Sequence, residues 1–168
     1  MTNHFFFYLD SPVGPLEIRA NDQFVTGLYF EGGKGASSIR QTPSPVQPAH
    51  LQTAIAELNA YFSGRLRTFS FPIHQTGTDF QQRVWQELMR IPYGETISYL
   101  ELSQHIGDTK TIRAVGTANS RNNLNIVVPC HRVIGKNGQL TGYGGGLWRK
   151  DWLLNHEAKW AKGVLTLF

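Results

Sequence analysis

Strand-like and helical patterning occupy separate stretches of this chain, and that separation limits the folds open to it. From Phe5 to Phe30 short strand-like runs are broken by turns at Ser11-Pro12-Val13-Gly14-Pro15 and Ala20-Asn21-Asp22-Gln23. Glu31 to Pro48 is rich in Gly, Ser and Pro and reads as a loop. Helical spacing begins at Leu51 and continues through Ile55, Leu58 and Phe62, with Gly64 as a stop. Phe69-Ser70-Phe71-Pro72-Ile73 alternates like an edge strand, where a proline is tolerated. The pattern predicts an α+β protein, with an antiparallel sheet and a helix over residues 1–75 and a mostly helical part over residues 76–168.

In the second part Phe80, Val84, Trp85 and Leu88 make one apolar helical stripe, ended by Ile91-Pro92-Tyr93-Gly94. Ser98 and Glu101 form a capping box, in which hydroxyl and carboxylate satisfy each other's free backbone donors at a helix start. That helix stops at Gly107, and another begins at about Thr109 with Ile112, Val115 and Ala118 on its inner side. Two short helices joined by a Gly-containing turn are the pattern of a helix-turn-helix, which many ordinary helix pairs share. Asn125-Ile126-Val127-Val128 reads as a buried strand leading into Pro129-Cys130-His131-Arg132. Lys136-Asn137-Gly138 carries a hairpin signature. A glycine-rich loop, Thr141 to Gly146, precedes a last helix from Leu147 to about Glu157 that carries Leu147, Trp152, Leu153 and Leu154.

No apolar run is long enough to span a bilayer, and Phe5-Phe6-Phe7-Tyr8 lacks the length and flanks of a signal peptide. A soluble, cytoplasmic protein is expected. A single cysteine excludes an internal disulfide and a Cys-based zinc site. The net charge of +4 is unevenly spread. Thr109 to Lys150 holds seven cations (Lys110, Arg113, Arg121, Arg132, Lys136, Arg149, Lys150) and no acid, and the rest of the chain balances to −3. A basic surface around the one cysteine points to a polyanionic partner, or else to a solvated face with no partner.

A lone cysteine is most often a small buried hydrophobe. It becomes a nucleophile when an imidazole, a cation or a helix N-terminus stabilises its thiolate. His131 is adjacent to Cys130, but neighbours on an extended strand point to opposite faces. Direct contact requires a bend after Pro129, and a bridging water is the alternative.

The segment Ile126-Val127-Val128-Pro129-Cys130-His131-Arg132-Val133-Ile134-Gly135 closely resembles the active-site signature of O6-alkylguanine-DNA alkyltransferases. The resemblance extends in register to Gly94-Glu95-Thr96-Ile97-Ser98-Tyr99, Arg113-Ala114-Val115-Gly116, Thr141-Gly142-Tyr143-Gly144-Gly145 and Trp152-Leu153-Leu154-Asn155-His156-Glu157. It covers about Thr78 to Glu157, and residues 1–75 fit more loosely as that family's RNase-H-like lobe. The resemblance implies that Cys130 accepts an alkyl group from guanine O6, with His131 as its base through a water and Glu157 orienting His131. It implies that Asn122 links the helix-turn-helix to the active-site segment, that Tyr99 sits by the flipped nucleotide, and that Arg113 fills the gap left by the extruded base. Val133 would offer its carbonyl to the guanine amine, Tyr143 and Gly144 would line the substrate loop, and Lys110, Arg121 and Arg132 would contact DNA.

The partner implied is duplex DNA, entered by the minor groove without sequence preference, and the protein would act as a monomer with no cofactor and no metal. The sulfur is expected to be held ionised at the bottom of a pocket that an everted purine can enter. Gly144 stands where some members have serine, which leaves the preference for bulky adducts and O4-alkylthymine open. Two rival readings remain at this point. One is a Cys–His hydrolase with an oxyanion hole at Gly144-Gly145-Gly146. The other is a DNA-binding module without chemistry.

Overall fold

A computed structural model describes residues 1–107 and 111–163 of the 168. The chain divides into two compact units, Met1–Gln75 and Thr76–Phe168.

In the first unit β1 (Phe5–Leu9), β2 (Leu16–Ala20) and β3 (Val25–Phe30) form an antiparallel sheet in the order β1-β2-β3. The pairs Leu9↔Leu16 and Leu16↔Phe30 set its register, with an irregularity between Arg19 and Ala20. The expected turns fall between these strands. Helix α1 (Ala49–Phe62) buries Leu51, Ala54, Leu58 and Tyr61. Its inner face is rotated from the expected one, with Ala54 and Tyr61 buried in place of Ile55 and Phe62. The expected edge strand shrinks to one parallel bridge, Val25↔Ile73, closed by Val25 N donating to the Pro72 carbonyl. Pro72 has no N–H to extend the ladder.

In the second unit α2 (Asp79–Leu88) starts at a capping box between Thr78 and Gln81 and buries Val84, Trp85 and Leu88. The two-residue β4 (Ile97–Ser98) runs directly into α3 (Tyr99–Ile106), whose capping box joins Ser98 and Glu101. Gly107 ends α3 at φ 108, a conformation that favours glycine. Helix α4 (Ile112–Ser120) packs on α2 and α3. The expected start at Thr109 lies outside the described residues, as does Lys110. Val115 and Ala118 face inward, and Ile112 is 39% exposed instead of buried. The Trp85 indole donates to the Ala118 carbonyl at 3.0 Å and Arg83 donates to the Ile106 carbonyl at 2.7 Å, so α2 holds both helices of the pair.

Strand β5 (Val133–Ile134) pairs with β4 in parallel. Lys136–Gly138 does turn, with Asn137 at φ 62, but β5 has its partner in β4 and no hairpin forms. Helix α5 (Leu147–Lys162) extends beyond the expected end at Glu157. Its buried stripe is Lys150, Leu153, Leu154, Glu157 and Ala158, while Leu147 is 47% exposed. Among the described residues no helix is long and apolar enough to cross a membrane.

Candidate active site

The site grows from the segment between α4 and β5. Asn122, just past the end of α4, accepts from Leu124 N at 3.0 Å through Oδ1. Its Nδ2 donates to the Val128 carbonyl at 2.8 Å and lies 3.3 Å from Cys130 Sγ. One amide just past α4 therefore ties the following loop to the sulfur. Within that loop Val127 N donates to Asn125 O around Ile126 at φ 72, and Cys130 N donates to Val128 O around Pro129 at φ −82, ψ 62. These are two successive three-residue turns.

The expected buried strand is thus buried but not extended. A β-branched residue at positive φ costs about 1–3 kcal/mol, and it persists only where the surroundings hold it. The Asn122 bonds and the burial of Ile126 (1% exposed) provide that hold. The result is a bend at Pro129, one of the two arrangements that the sequence left open, followed by a 3-10 turn over Cys130–Arg132.

His131 is fully buried, and its Nε2 lies 2.9 Å from Glu157 Oε2. Its Nδ1 is buried with no hydrogen-bond partner among the described residues. Glu157, 1% exposed, also accepts from Arg132, Nε to Oε1 at 2.7 Å and Nη2 to Oε2 at 3.0 Å. Burial alone would raise the Glu157 carboxyl, but His131 and Arg132 outweigh it and hold it well below the usual carboxylate range. The carboxylate is therefore ionised, Nε2 carries the hydrogen, and Nδ1 is the nitrogen left to take a proton. Burial pushes the His131 imidazole down, Glu157 pushes back up, and Arg132 and Lys150 push down again, for a net decrease.

Burial also pushes the Cys130 thiol up, against smaller opposing effects from Asn122, Lys150 and the backbone. This corrects the expectation of a resting thiolate. Cys130, 5% exposed, rests as the thiol in this setting and must be deprotonated when it reacts. The thiol also faces Asn125 Oδ1 at 3.9 Å.

The wall of the site comes from the loop before α5 and from α3. Lys150, with no exposed surface, donates from Nζ to the Thr141 carbonyl at 3.1 Å and lies 6.0 Å from the Tyr99 ring centroid. Burial brings its amine down to about 8, with the nearby Cys130 opposing. Thr141 Oγ1 donates to Tyr99 Oη at 3.3 Å. The Tyr143 hydroxyl is buried, which holds it well above its ordinary value, and the charges of Cys130 and Glu157 add to the effect. Val133 pairs with Ile97 in the β4–β5 ladder, which places Tyr99 beside the active-site segment.

Two of the seven expected surface cations point inward. Arg132 (6% exposed) is engaged by Glu157 and Lys150 is buried, so neither belongs to a DNA-facing surface. Arg113 and Arg121 are exposed on and just after α4, and Gly144 is exposed in the loop.

Two family models match the chain: 6-O-methylguanine DNA methyltransferase, ribonuclease-like domain, over residues 5–75, and its DNA binding domain over residues 79–159. The chain belongs to the 6-O-methylguanine DNA methyltransferase family. It is 48% identical over 161 residues to the methylated-DNA–protein-cysteine methyltransferase of Mycobacterium tuberculosis, covering 95% of this chain and 96% of that protein. It is 45% identical over 151 residues to the constitutive enzyme of that name from Bacillus subtilis, covering 88% and 92%. Its structure is similar to that of Mycobacterium tuberculosis OGT in complex with DNA, at a TM-score of 0.83 and 46% identity, covering 95% of this chain and 96% of that one.

Set against the family resemblance, the structure brings Cys130, Asn122, His131 and Glu157 together and borders them with Tyr99, Val133 and Tyr143. It leaves Arg113 and Arg121 on the surface of α4 and its C-terminal end. Residue reasoning did not single out Asn125, Thr141 or the inward Lys150. For Lys150 a signal existed: it lies seven residues before Glu157, on the same face of an α-helix.

Proposed function

We propose that this protein repairs DNA by direct reversal, moving the alkyl group of O6-alkylguanine onto Cys130. The observation that carries the reading is the buried Glu157–His131 pair, one imidazole nitrogen left over, next to a lone cysteine whose sulfur is held by Asn122. His131 takes the thiol proton through a bridging water, and Glu157 stabilises the imidazolium that forms. Lys150, near enough to act on Cys130 electrostatically, supports the developing thiolate. Sγ attacks the alkyl carbon in line, the carbon–O6 bond breaks, Tyr99 donates a proton to the leaving purine, and the proton held by His131 is returned through solvent to Tyr99. The product is a thioether and an intact guanine. A thioether cannot return to the thiolate, so each molecule acts once and needs no cofactor.

A base stacked in a duplex hides its O6, so extrusion at a cost of a few kcal/mol precedes attack. Arg113 on exposed α4 fills the vacated space, while Arg121 and the other exposed cations hold phosphates, so affinity falls with salt. The helix pair enters the minor groove, which suits a sequence-independent search. The protein does this as a monomer in the cytoplasm, with Gly144 offering only backbone to the substrate, which leaves O4-alkylthymine as the open question of its substrate range.

Intact-mass measurement after incubation with DNA containing O6-methylguanine tests the reading. The expected result is one added methyl group on Cys130, absent in Cys130→Ser. Binding without any mass change, or repeated turnover on an ester, would overturn it. Arg113→Ala is expected to slow repair in duplex DNA by tenfold or more (about 1.4 kcal/mol) and to leave attack on free O6-benzylguanine unchanged. Equal losses on both substrates would remove Arg113 from base extrusion.

A further inference from the structure

Arg132 was expected at the DNA surface, and the fold puts it behind the reacting groups. Its guanidinium is bidentate on Glu157, and Nη1 donates to the Ile91 carbonyl at 2.7 Å. Glu157 Oε2 therefore serves Arg132 and His131 at once. The Ile91 carbonyl belongs to the turn that ends at Gly94, φ 81, where a Cβ would lie 2.5 Å from Ala161 Cβ on α5. That turn is packed against α5 one helical turn beyond Glu157, so Arg132 spans two elements whose spacing is set. The Tyr93 ring centroid lies 5.7 Å from its guanidinium carbon.

We propose that Arg132 is a positioning residue that keeps His131 neutral at rest: by neutralising Glu157 it leaves the imidazole Nδ1 bare and able to accept the Cys130 proton. The proposal rests on the reading of His131 as the proton acceptor. Its physical basis is charge balance in a buried space. A buried carboxylate demands one compensating cation. Arginine is always protonated and offers the planar fork that a carboxylate accepts, so it fills that role at every working pH. Without it the carboxylate would draw on His131, whose Nε2 already lies 2.9 Å from Oε2, and an imidazolium there would hold a proton on Nδ1 and could accept none.

Glu157 and Lys150 of α5 and Arg132 of its own segment act on His131, while the Cys130 thiol precedes it in the chain and the Tyr143 hydroxyl is near enough to interact with Glu157. The turn after α2 supplies the Ile91 carbonyl and the Tyr93 ring. Lys150 pushes His131 in the same direction as Arg132, but its ammonium is bonded to the Thr141 carbonyl and not to Glu157. Burial is the largest of the effects that lower the His131 imidazole, and Arg132 and Lys150 add to it against Glu157.

NMR of protein labelled at histidine gives the first test. In the wild-type protein His131 is expected to be neutral at neutral pH, with its hydrogen on Nε2. An imidazolium there would overturn the proposal, and this measurement requires neither a variant nor any transfer. The second test is the pH profile of single-turnover transfer from free O6-benzylguanine. Arg132→Gln keeps hydrogen bonding to Glu157 without the charge, and its acid-side midpoint should rise by about one pH unit or more. Arg132→Lys keeps the charge, so its midpoint should stay in place while the rate falls. Wild-type and Arg132→Gln profiles that differ in height alone would reduce Arg132 to a structural role. Failure of transfer altogether would instead sink the alkyl-transfer reading, and the His131 titration would still report on Arg132. If Arg132→Gln does not fold, the wild-type titration decides.

Discussion

Each unit of this protein buries one glutamate to 1% exposure beside an arginine, and the two do different things. In the first unit Glu17 accepts from Arg19 Nε at 2.6 Å, Ser37 N at 3.1 Å, Ser37 Oγ at 2.9 Å and Tyr8 Oη at 3.1 Å. None of these donors changes protonation near neutral pH. The network pins the Glu31–Gln41 loop onto the sheet, with Arg19 also reaching the Gly35 carbonyl and Tyr8 Oη accepting from Gln41 N. In the second unit Glu157 shares itself between Arg132 and an imidazole that has a nitrogen to spare. Both carboxyls lie below their ordinary range, and in both burial opposes that shift while the donors drive it. A buried charge with a depressed pKa is therefore no mark of a reaction centre in itself. What separates the two is a partner able to change its protonation, next to a nucleophile.

The largest effect that tests this contrast is on rate. Glu157→Gln leaves His131 without a carboxylate to stabilise its protonated form, so transfer should slow by about a hundredfold or more. DNA affinity should stay nearly intact, because Glu157 is buried away from any phosphate. Quench-flow transfer and equilibrium binding on the same variant check both halves, and unchanged transfer would erase the distinction between the two glutamates.

Next comes stability. Every group facing Glu17 donates, so the amide of Glu17→Gln sets one donor against another and should cost about 1–3 kcal/mol. Transfer from free O6-benzylguanine should be unaffected. All four tryptophans follow residue 76, so their fluorescence does not report on this unit. Hydrogen exchange in β2 does. The sign of the pH dependence follows from the depressed pKa. The Glu17 contribution is complete above the unfolded carboxyl value of about 4.3 and is lost as pH falls toward the folded value. Wild type and variant should thus differ most above that pH and converge in acid. Parallel curves would mean that Glu17 contributes shape and no charge.

The sequence legibility of the two centres was unequal for a physical reason. Local rules carried the helices, the Ser98–Glu101 cap and the Gly107 stop, since each depends on residues within one turn of one another. The motif around Cys130 carried Cys130, His131 and Glu157. Asn125 to Val128 read as a strand because its side chains are apolar, yet the turns there are imposed by Asn122, whose two amide ends bind backbone on both sides of Ile126. That is a tertiary constraint without a local period. Arg132 and Lys150 read as surface cations because charge counts carry no direction. Helical period places Lys150 on the Glu157 face, and for Arg132 only the packed turn at Ile91 reveals the inward path. Glu17 carries no local signal of its burial, because its network depends on a loop folded back from up to twenty residues away.

The smallest effect comes from the outermost bond of the Glu17 network. Tyr8→Phe removes one donor from Glu17 and one acceptor from Gln41 N, and the Gln41 end is exposed, so water replaces it there. The cost should be about 0.5–1.5 kcal/mol. It should also be confined, with faster hydrogen exchange across residues 31–41 and no change at β2–β3, because Arg19 and Ser37 still hold Glu17. The cation–π contact of Arg40, 4.3 Å from the Tyr8 centroid, survives in phenylalanine and limits the loss further. In a double variant with Glu17→Gln the two losses should fall short of adding, since both act on one carboxylate. Full additivity would show that Tyr8 holds the loop independently of Glu17, and the buried acid of the first unit would no longer be the anchor that the comparison makes it.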